Sequence, residues 1–166
     1  MSIFKIFKGK SEKVEESTET ESNAPTSNTP TREPVELYSS GEKLLGWFAA
    51  RMESPEMIEA NKNVGDLKIQ FNAGGNLFFM SKNGIQPFQI TSGRCSDADV
   101  LIRISPAVVS KLVGVKDFTE FCQEYKKYAK LSGVEEYVKV SHIIDMSELS
   151  RKGVLRSKLV RTLLMA

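Results

Sequence analysis

The sequence predicts an α+β fold with a five-stranded, mostly antiparallel sheet and helices packed on one face. Three observations support this class. Several short segments alternate apolar and polar residues, which is the period of a half-buried strand. Glycine-containing turn dipeptides separate these segments, and stretches of helical periodicity come before and after them. The length of 166 residues suits one compact domain with a tail.

The chain divides into a predicted disordered tail, residues 1–34, and a predicted domain, residues 35–166. Ser11–Pro34 consists mainly of Ser, Thr, Glu, Asn and Pro, and so has little apolar surface to bury. The first ten residues differ, because apolar residues alternate with lysines such as Lys5 and Lys8. They have two interpretations: a small basic contact with an anionic membrane or a partner, or a frayed terminus without a role.

Two helices are predicted at the start of the domain. Ser39 and Ser40 can cap the first helix. Ser54 can cap the second, with Pro55 at its first position. The first helix has an apolar face made of Leu44, Leu45, Trp47, Phe48 and Met52.

Five strands are predicted from alternation and turn signals. Asn83-Gly84 is the strongest of these signals, because this dipeptide favours the tight turn of a hairpin. The predicted strands are Leu67–Ala73, Leu77–Ser81, Gln86–Thr91, Ala98–Ile104 and Tyr137–Ile143.

Three further helices are predicted in the second half of the chain. Asp117 and Glu120 have the spacing of a capping box. Glycines mark the ends of the first two helices. The predicted segments are Ala107–Val113, Asp117 to a stop at Gly133, and an amphipathic Ser147–Met165 that is interrupted near Gly153.

The residue types that support catalysis do not form a recognisable pattern. His142 is the only histidine and lies in a predicted strand, so it makes no zinc site. Cys122 lies on an apolar stripe, which indicates an inert buried thiol. The sequence has no nucleophile elbow and no phosphate-binding glycine loop. We therefore expect no enzymatic activity, no metal and no cofactor.

Charge and cysteine content indicate the partners and the compartment. The formal net charge of +2 argues against general nucleic-acid binding. The two cysteines form no Cys-x-x-Cys pair, and the first ten residues lack a continuous apolar signal segment. We expect a cytoplasmic protein, with a peripheral membrane contact as an open alternative.

Cations are concentrated in the predicted C-terminal helix. They are either a contact for a membrane surface or an acidic partner, or the solvated side of a helix whose leucines pack on the core. The cations are Arg151, Lys152, Arg156, Lys158 and Arg161.

The order of elements in the second half resembles the sterol carrier protein 2 (SCP2) family. Ala98–Ser105 looks like the signature strand of that family, and Val108–Gly114 looks like the helix that follows it. Val64–Thr91 is similar to the opening meander of the family. The resemblance covers about residues 42–166. The chain departs from the usual pattern at Tyr137–His142 and in its longer, more basic C-terminal helix.

The resemblance implies a non-enzymatic lipid-binding or lipid-transport domain with a hydrophobic cavity between the sheet and the helices. The expected ligand is an acyl, isoprenoid or quinone-like molecule. The alternatives are a protein- or membrane-interaction module with a filled core, and an accessory subunit that presents lipid to an enzyme. The candidate lining residues are Phe79, Phe88, Ile90, Val109, Leu112, Phe121, Tyr125, Leu155 and Leu159.

Overall fold

The computed structural model describes residues 35–130 and 133–165, with side chains from Ser40 onward. The predicted tail, with Lys5 and Lys8, lies outside the described residues. The helices are α1 Val35–Met52, α2 Pro55–Asn61, α3 Pro106–Val113, α4 Phe118–Lys130, α5 Met146–Arg151 and α6 Lys158–Met165. A 3₁₀ turn, Val154–Arg156, connects the last two helices. The strands are β1 Leu67–Ala73, β2 Asn76–Lys82, β3 Gln89–Ser92, β4 Val100–Ile104 and β5 Val138–His142.

The five strands form one mixed sheet in the order β3-β2-β1-β4-β5. All neighbouring strands are antiparallel except β1 and β4, which are parallel with Ile69 opposite Val100. The α+β class and the five-stranded, mostly antiparallel sheet are therefore confirmed. The alternating residues of β1 and β2 explain why one face is buried. Ile69, Phe71 and Met80 are inaccessible to solvent, as expected for period-two strands.

The helices lie on that buried face. The Phe48 ring of α1 is 5.6 Å from the Phe71 ring of β1, and the Trp47 ring stacks on Phe121 of α4 at 4.8 Å. α6 reaches the same face at β5, where the ring Nε2 of His142 lies 3.0 Å from the Leu164 carbonyl oxygen. The predicted arrangement of helices on one face of the sheet is confirmed.

Local signals in the sequence explain several helix ends. The Ser54 side chain accepts a hydrogen bond from the Met57 backbone nitrogen at 3.3 Å, as a helix cap does. At α4, the Asp117 carboxylate accepts from Glu120 N at 2.9 Å, and the Glu120 carboxylate accepts from Lys116 N at 2.8 Å. Both predicted caps are confirmed.

Two predicted helices have the wrong bounds. α1 begins at Val35, upstream of the predicted cap at Ser39 and Ser40. The C-terminal segment has the predicted interruption at Gly153, but a second break divides it further, into two short helices joined by the 3₁₀ turn. It breaks at Gly153, whose φ of +77° is left-handed, and again at the extended Ser157. Ser157 then begins α6, because its hydroxyl accepts from Val160 N at 3.2 Å.

Candidate functional site

The centre of the space between sheet and helices is occupied by side chains. The rings of Phe71 and Phe78 stack at 4.8 Å, and Phe121 lies 5.3 Å from Phe48 and 5.8 Å from Tyr125. All of these residues are inaccessible to solvent. These aromatic side chains are therefore packed core. Side-chain packing as close as this is normal for a protein interior.

Tyr125 shows how tightly this centre is built. Its hydroxyl donates a hydrogen bond of 2.8 Å to the Leu163 carbonyl oxygen, which joins α4 to α6. Burial raises the pKa of this phenol well above its ordinary value. The hydroxyl therefore acts as a neutral donor that fixes the spacing of two helices.

A groove of about 440 Å³, lined by both apolar and polar side chains, lies at one edge of the sheet, where the C-terminal half of α1 passes the edge strand β3. The side chains of Ala49 and Met52 come from α1, and Phe88 and Ile90 come from β3 and the loop before it. Ile90 faces α1 because it pairs with Met80, a residue of the buried face. The volume is within the range of roughly 300–1,000 Å³ that small-molecule pockets occupy. We call this site the α1–β3 groove.

The rim of the α1–β3 groove is polar, with Glu53 directly after the end of α1 and Gln89 and Thr91 on β3. Apolar side chains together with polar groups at the rim suit a ligand that has both an apolar and a polar part. A smaller pocket of about 30 Å³ adjoins the groove and shares Met52, Pro87 and Phe88 with it. Lys82 lines this smaller pocket and is only 2% exposed.

The predicted lining residues do not meet around one cavity. Phe88 and Ile90 line the α1–β3 groove. A second group is fully or almost fully buried in the packed core and consists of Val109, Leu112, Phe121, Tyr125 and Leu159.

The other two predicted lining residues lie apart from both groups. Phe79 pairs with Gln70 and Thr91 and points to the face of the sheet opposite the helices. Leu155 is in the 3₁₀ turn and is 45% exposed, because the breaks around that turn rotate it away from the core. The expectation that these two side chains face the sheet–helix interior is wrong.

Sequence reasoning missed three important members of the site. Ala49 and Met52 gave no signal beyond their place in an amphipathic helix. Lys82 ends a strand beside a turn, where a lysine is ordinarily solvated. The alternation of β2 was an available signal, because residues two apart in a strand lie on the same face. Lys82 therefore lies on the same face as Phe78 and Met80.

A second depression, of about 320 Å³, lies on the opposite face of the sheet, beside Gln70, Cys95 and Leu101. The Gln70 side chain is fully engaged: its nitrogen donates to the Phe78 carbonyl at 2.8 Å, and its oxygen accepts from Cys95 N at 2.5 Å. Burial raises the pKa of the Cys95 thiol, which also donates to the Asp97 carboxylate at 3.3 Å. The thiol is therefore held in its protonated form rather than activated.

The predicted contact cations of the C-terminal segment are in different environments. Arg151, Arg156, Lys158 and Arg161 are exposed. Lys152 instead forms an ion pair of 2.8 Å with Asp99, and both side chains are largely buried. Asp99 also accepts from Lys68 N at 2.8 Å, so this pair anchors α5 to the start of β1.

Metal-binding clusters and membrane-spanning helices are both absent from the described residues. Within residues 35–130 and 133–165, no cluster of His, Cys, Asp or Glu side chains could hold a metal ion. No helix in the same ranges is long and apolar enough to cross a bilayer.

The fold is an α+β domain with an open groove at one edge of its sheet. No family model matches the chain, and no curated protein matches it. Solved structures do match. One of them is described as UbiJ-SCP2, a ubiquinone synthesis protein. It is 14% identical to this chain, the match covers 76% of this chain and 99% of the other, and the TM-score is 0.40.

Proposed function

We propose that the domain is a non-enzymatic lipid-binding domain that holds an apolar ligand in the α1–β3 groove. The ligand class is an acyl, isoprenoid or quinone-like chain. The α1–β3 groove is the observation that carries this proposal, because it is preformed, open to solvent and lined in part by apolar side chains. Removing apolar ligand surface from water contributes about 25 cal/mol per Å² before the costs of ordering.

The groove is a better binding site than the centre of the domain. A ligand placed between Phe48, Phe71 and Phe121 would have to displace side chains that already contact one another. Displacing packed core side chains costs several kcal/mol, on the order of what a large-to-small core substitution costs. The groove needs no such displacement. Phe88 and Ile90, which sequence analysis selected, already lie on its wall.

The experiment fills the groove from α1. Ala49→Phe places a ring in the space that a ligand would use, and Ala50→Phe adds the same ring at the next position, which is exposed. Binding is measured by the fluorescence of N-phenyl-1-naphthylamine, a neutral apolar probe, and by its displacement with lipid extracts. We expect Ala49→Phe to lose at least tenfold in affinity and Ala50→Phe to bind like the wild type.

Circular dichroism and thermal melts establish that both variants fold. The proposal fails if the wild-type protein shows no saturable binding to the probe or to any extracted lipid class. It also fails if the two variants bind equally well, because binding would then occur away from the groove.

The filled centre of the domain favours a second candidate, an interaction module whose working surface is basic. Arg156, Lys158 and Arg161 are exposed and close in sequence, and they form no ion pair with any described residue. Reversal of all three to glutamate should then abolish sedimentation with vesicles that contain phosphatidylserine. A matched reversal of Lys126 and Lys130, exposed on α4, should have a smaller effect. Unchanged sedimentation after the triple reversal would count against this candidate.

A further inference from the structure

Lys82 is a buried cation without a carboxylate partner. It is the last residue of β2, and its side chain lies on the core face of the sheet with 2% exposure. Its ammonium group donates one hydrogen bond, of 2.5 Å, to the carbonyl oxygen of Gly84. No described carboxylate lies within ion-pair distance of it. An ammonium group has three protons to donate, so Lys82 keeps unused donor capacity in a poorly solvated place.

The charge of Lys82 is only partly compensated by its surroundings, which is unusual for a buried lysine. Burial lowers the pKa of Lys82, and the nearby charge of Asp66 only partly opposes that effect. The Asp66 carboxylate is itself engaged, since it accepts from Gly84 N at 2.5 Å. Buried charges in proteins are normally paired, because the cost of removing an ion from water is high. At Lys82 the pairing within the chain is incomplete.

The small pocket that contains Lys82 adjoins the α1–β3 groove. Its volume of about 30 Å³ exceeds the minimum of roughly 10–15 Å³ that one water molecule needs. Met52, Pro87 and Phe88 line both spaces, so the two spaces lie side by side. Methionine is flexible and adapts readily to a changed neighbour. A shift of Met52 would therefore join the two spaces.

We infer that Lys82 binds the acidic head, a carboxylate or a phosphate, of an amphiphile whose apolar part lies in the α1–β3 groove. The inference rests on the proposed function of that groove and names the ligand class that the groove selects. A charge-assisted hydrogen bond in a poorly solvated pocket is about twice as strong as a neutral one. An acidic head supplies the missing counter-charge, whereas a neutral head supplies a hydrogen bond alone.

The charged side chains around the small pocket and the groove determine which end of the amphiphile lies near Lys82. Lys62 also lines the small pocket, but it is exposed and forms an ion pair with Glu59. Glu53 lines the groove but not the small pocket, so it would repel an acidic head placed in the groove. The head therefore points inward to Lys82, and the chain extends along Phe88 and Ile90 toward the rim.

Exposed apolar side chains mark the outside of the small pocket. Ile85, in the turn after β2, is 91% exposed, and Ile58 on α2 is 42% exposed. Both line the pocket. The two isoleucines place apolar surface beside the buried cation. This feature agrees with an amphiphile as the occupant.

The experiment compares ligands that differ only in the head. Dodecanoate, dodecyl phosphate and 1-dodecanol are titrated against the full chain at pH 7.4, by displacement of N-phenyl-1-naphthylamine. Acetate and inorganic phosphate serve as heads without a chain. We expect the wild-type protein to bind dodecanoate and dodecyl phosphate at least tenfold more tightly than 1-dodecanol. Acetate and inorganic phosphate should bind at least a hundredfold more weakly than dodecanoate.

The variant Lys82→Met removes the charge and keeps the length of the side chain. We expect it to bind the acid and the alcohol within about twofold of each other, with the alcohol affinity unchanged. Lys43→Met removes a charge from the exposed side of α1 and should keep the tenfold preference. Lys82→Gln is a second neutral variant, for use if Lys82→Met does not fold. The ratio of acid affinity to alcohol affinity is also measured in the wild-type protein, where folding is not in question.

The outcomes separate this inference from the proposed function. Equal binding of the acid and the alcohol by the wild type overturns the inference and leaves the groove as a general apolar site. A preference that persists in Lys82→Met overturns it as well. Inorganic phosphate that binds as tightly as dodecyl phosphate would mean an anion site that needs no apolar chain, which also overturns it. If none of the chain-bearing ligands binds, the proposed function fails first.

Discussion

The hydroxyl oxygen of Ser157 lies 2.5 Å from the side-chain oxygen of Asn61, and both side chains are buried. This hydrogen bond joins the end of α2 to the beginning of α6, across 96 positions of sequence. Asn61 also donates to the Met57 carbonyl oxygen at 2.7 Å, and Ser157 also accepts from Val160 N at 3.2 Å. Each group is therefore part of a small, satisfied polar network inside the core.

We expect Ser157→Ala to lower the free energy of unfolding by about 1–3 kcal/mol, because it leaves the buried Asn61 oxygen without its donor and removes the cap of α6. Asn61→Ala should cost a similar amount. The double variant should cost less than the sum, with a coupling energy of about 0.5–3 kcal/mol. Urea unfolding followed by circular dichroism measures all three.

Ser150→Ala, at an exposed position of α5, is the control and should change stability by less than about 0.5 kcal/mol. Strict additivity of the two single variants would contradict the coupling.

We expect Gly153→Ala to destabilise the domain by more than about 2 kcal/mol. Gly153 has a φ of +77°, which disfavours a side chain, and a Cβ atom there would overlap the carbonyl oxygen of Asn63. Gly46→Ala is the matched variant, because no other atom lies within 4 Å of the added Cβ atom in the middle of α1. That variant should stabilise the domain by about 0.5–1 kcal/mol. The melting temperatures should therefore move in opposite directions, and equal shifts would contradict the structural reason.

We expect Tyr125→Phe to cost about 1–2 kcal/mol at neutral pH, because the Leu163 carbonyl oxygen loses a buried donor. The raised pKa of Tyr125 also makes stability depend on alkaline pH. The unfolded chain releases the phenol proton near pH 10, whereas the folded domain holds it. The stability contribution of Tyr125 is therefore complete below pH 10 and decreases as pH rises above it. Urea unfolding at pH 8 and at pH 11 should show a smaller loss of stability in the variant than in the wild type. A loss of equal size in both proteins would contradict this origin.

We expect Lys82→Met to raise the free energy of unfolding at pH 7 by on the order of 1 kcal/mol, because the ligand-free protein then buries no incompletely paired charge. The pKa of Lys82 is lowered in the folded state, so the unfolded chain holds the proton at pH values where the folded domain has released it. Wild-type stability should therefore gain from Lys82 as pH rises toward 10.5, and the variant should lack that gain. The difference between the two unfolding curves at pH 7 and pH 10 isolates this effect. A variant less stable than the wild type at pH 7 would contradict it.

Much of the fold was predictable because its signals are local. Alternation in Leu67–Ala73 and the Gly74-Gly75 turn predicted the first hairpin, whose observed register places Ala73 opposite Asn76. The parallel pairing of β1 with β4 was not predictable, because alternation gives the buried face of a strand and not the direction of its neighbour. Phe79 was assigned to the wrong face for a related reason. Leu77 to Met80 is an unbroken apolar run without a period of two.

The candidate site was only partly predictable. Phe88 and Ile90 were identified, because aromatic and branched residues before and within a strand indicate a packed surface. Leu155 was misplaced because a period of 3.6 holds only within an unbroken helix. Gly153 and Ser157 break the helix on either side of the short turn that contains Leu155. The groove itself depends on the distance between α1 and the edge strand β3. That distance depends on how whole elements pack, which no short segment of sequence encodes.

The parallel pair at the middle of the sheet has a consequence for the time course of folding. β1, β2 and β3 are joined by short turns, so this meander can close within microseconds, as local hairpins do. β4 must then find β1 across a separation of 31 residues, as the contact of Ile69 with Val100 illustrates. Closing that loop costs chain entropy before any pairing compensates it. We therefore expect docking of β4, with β5 following it, to limit the rate at which the native domain appears.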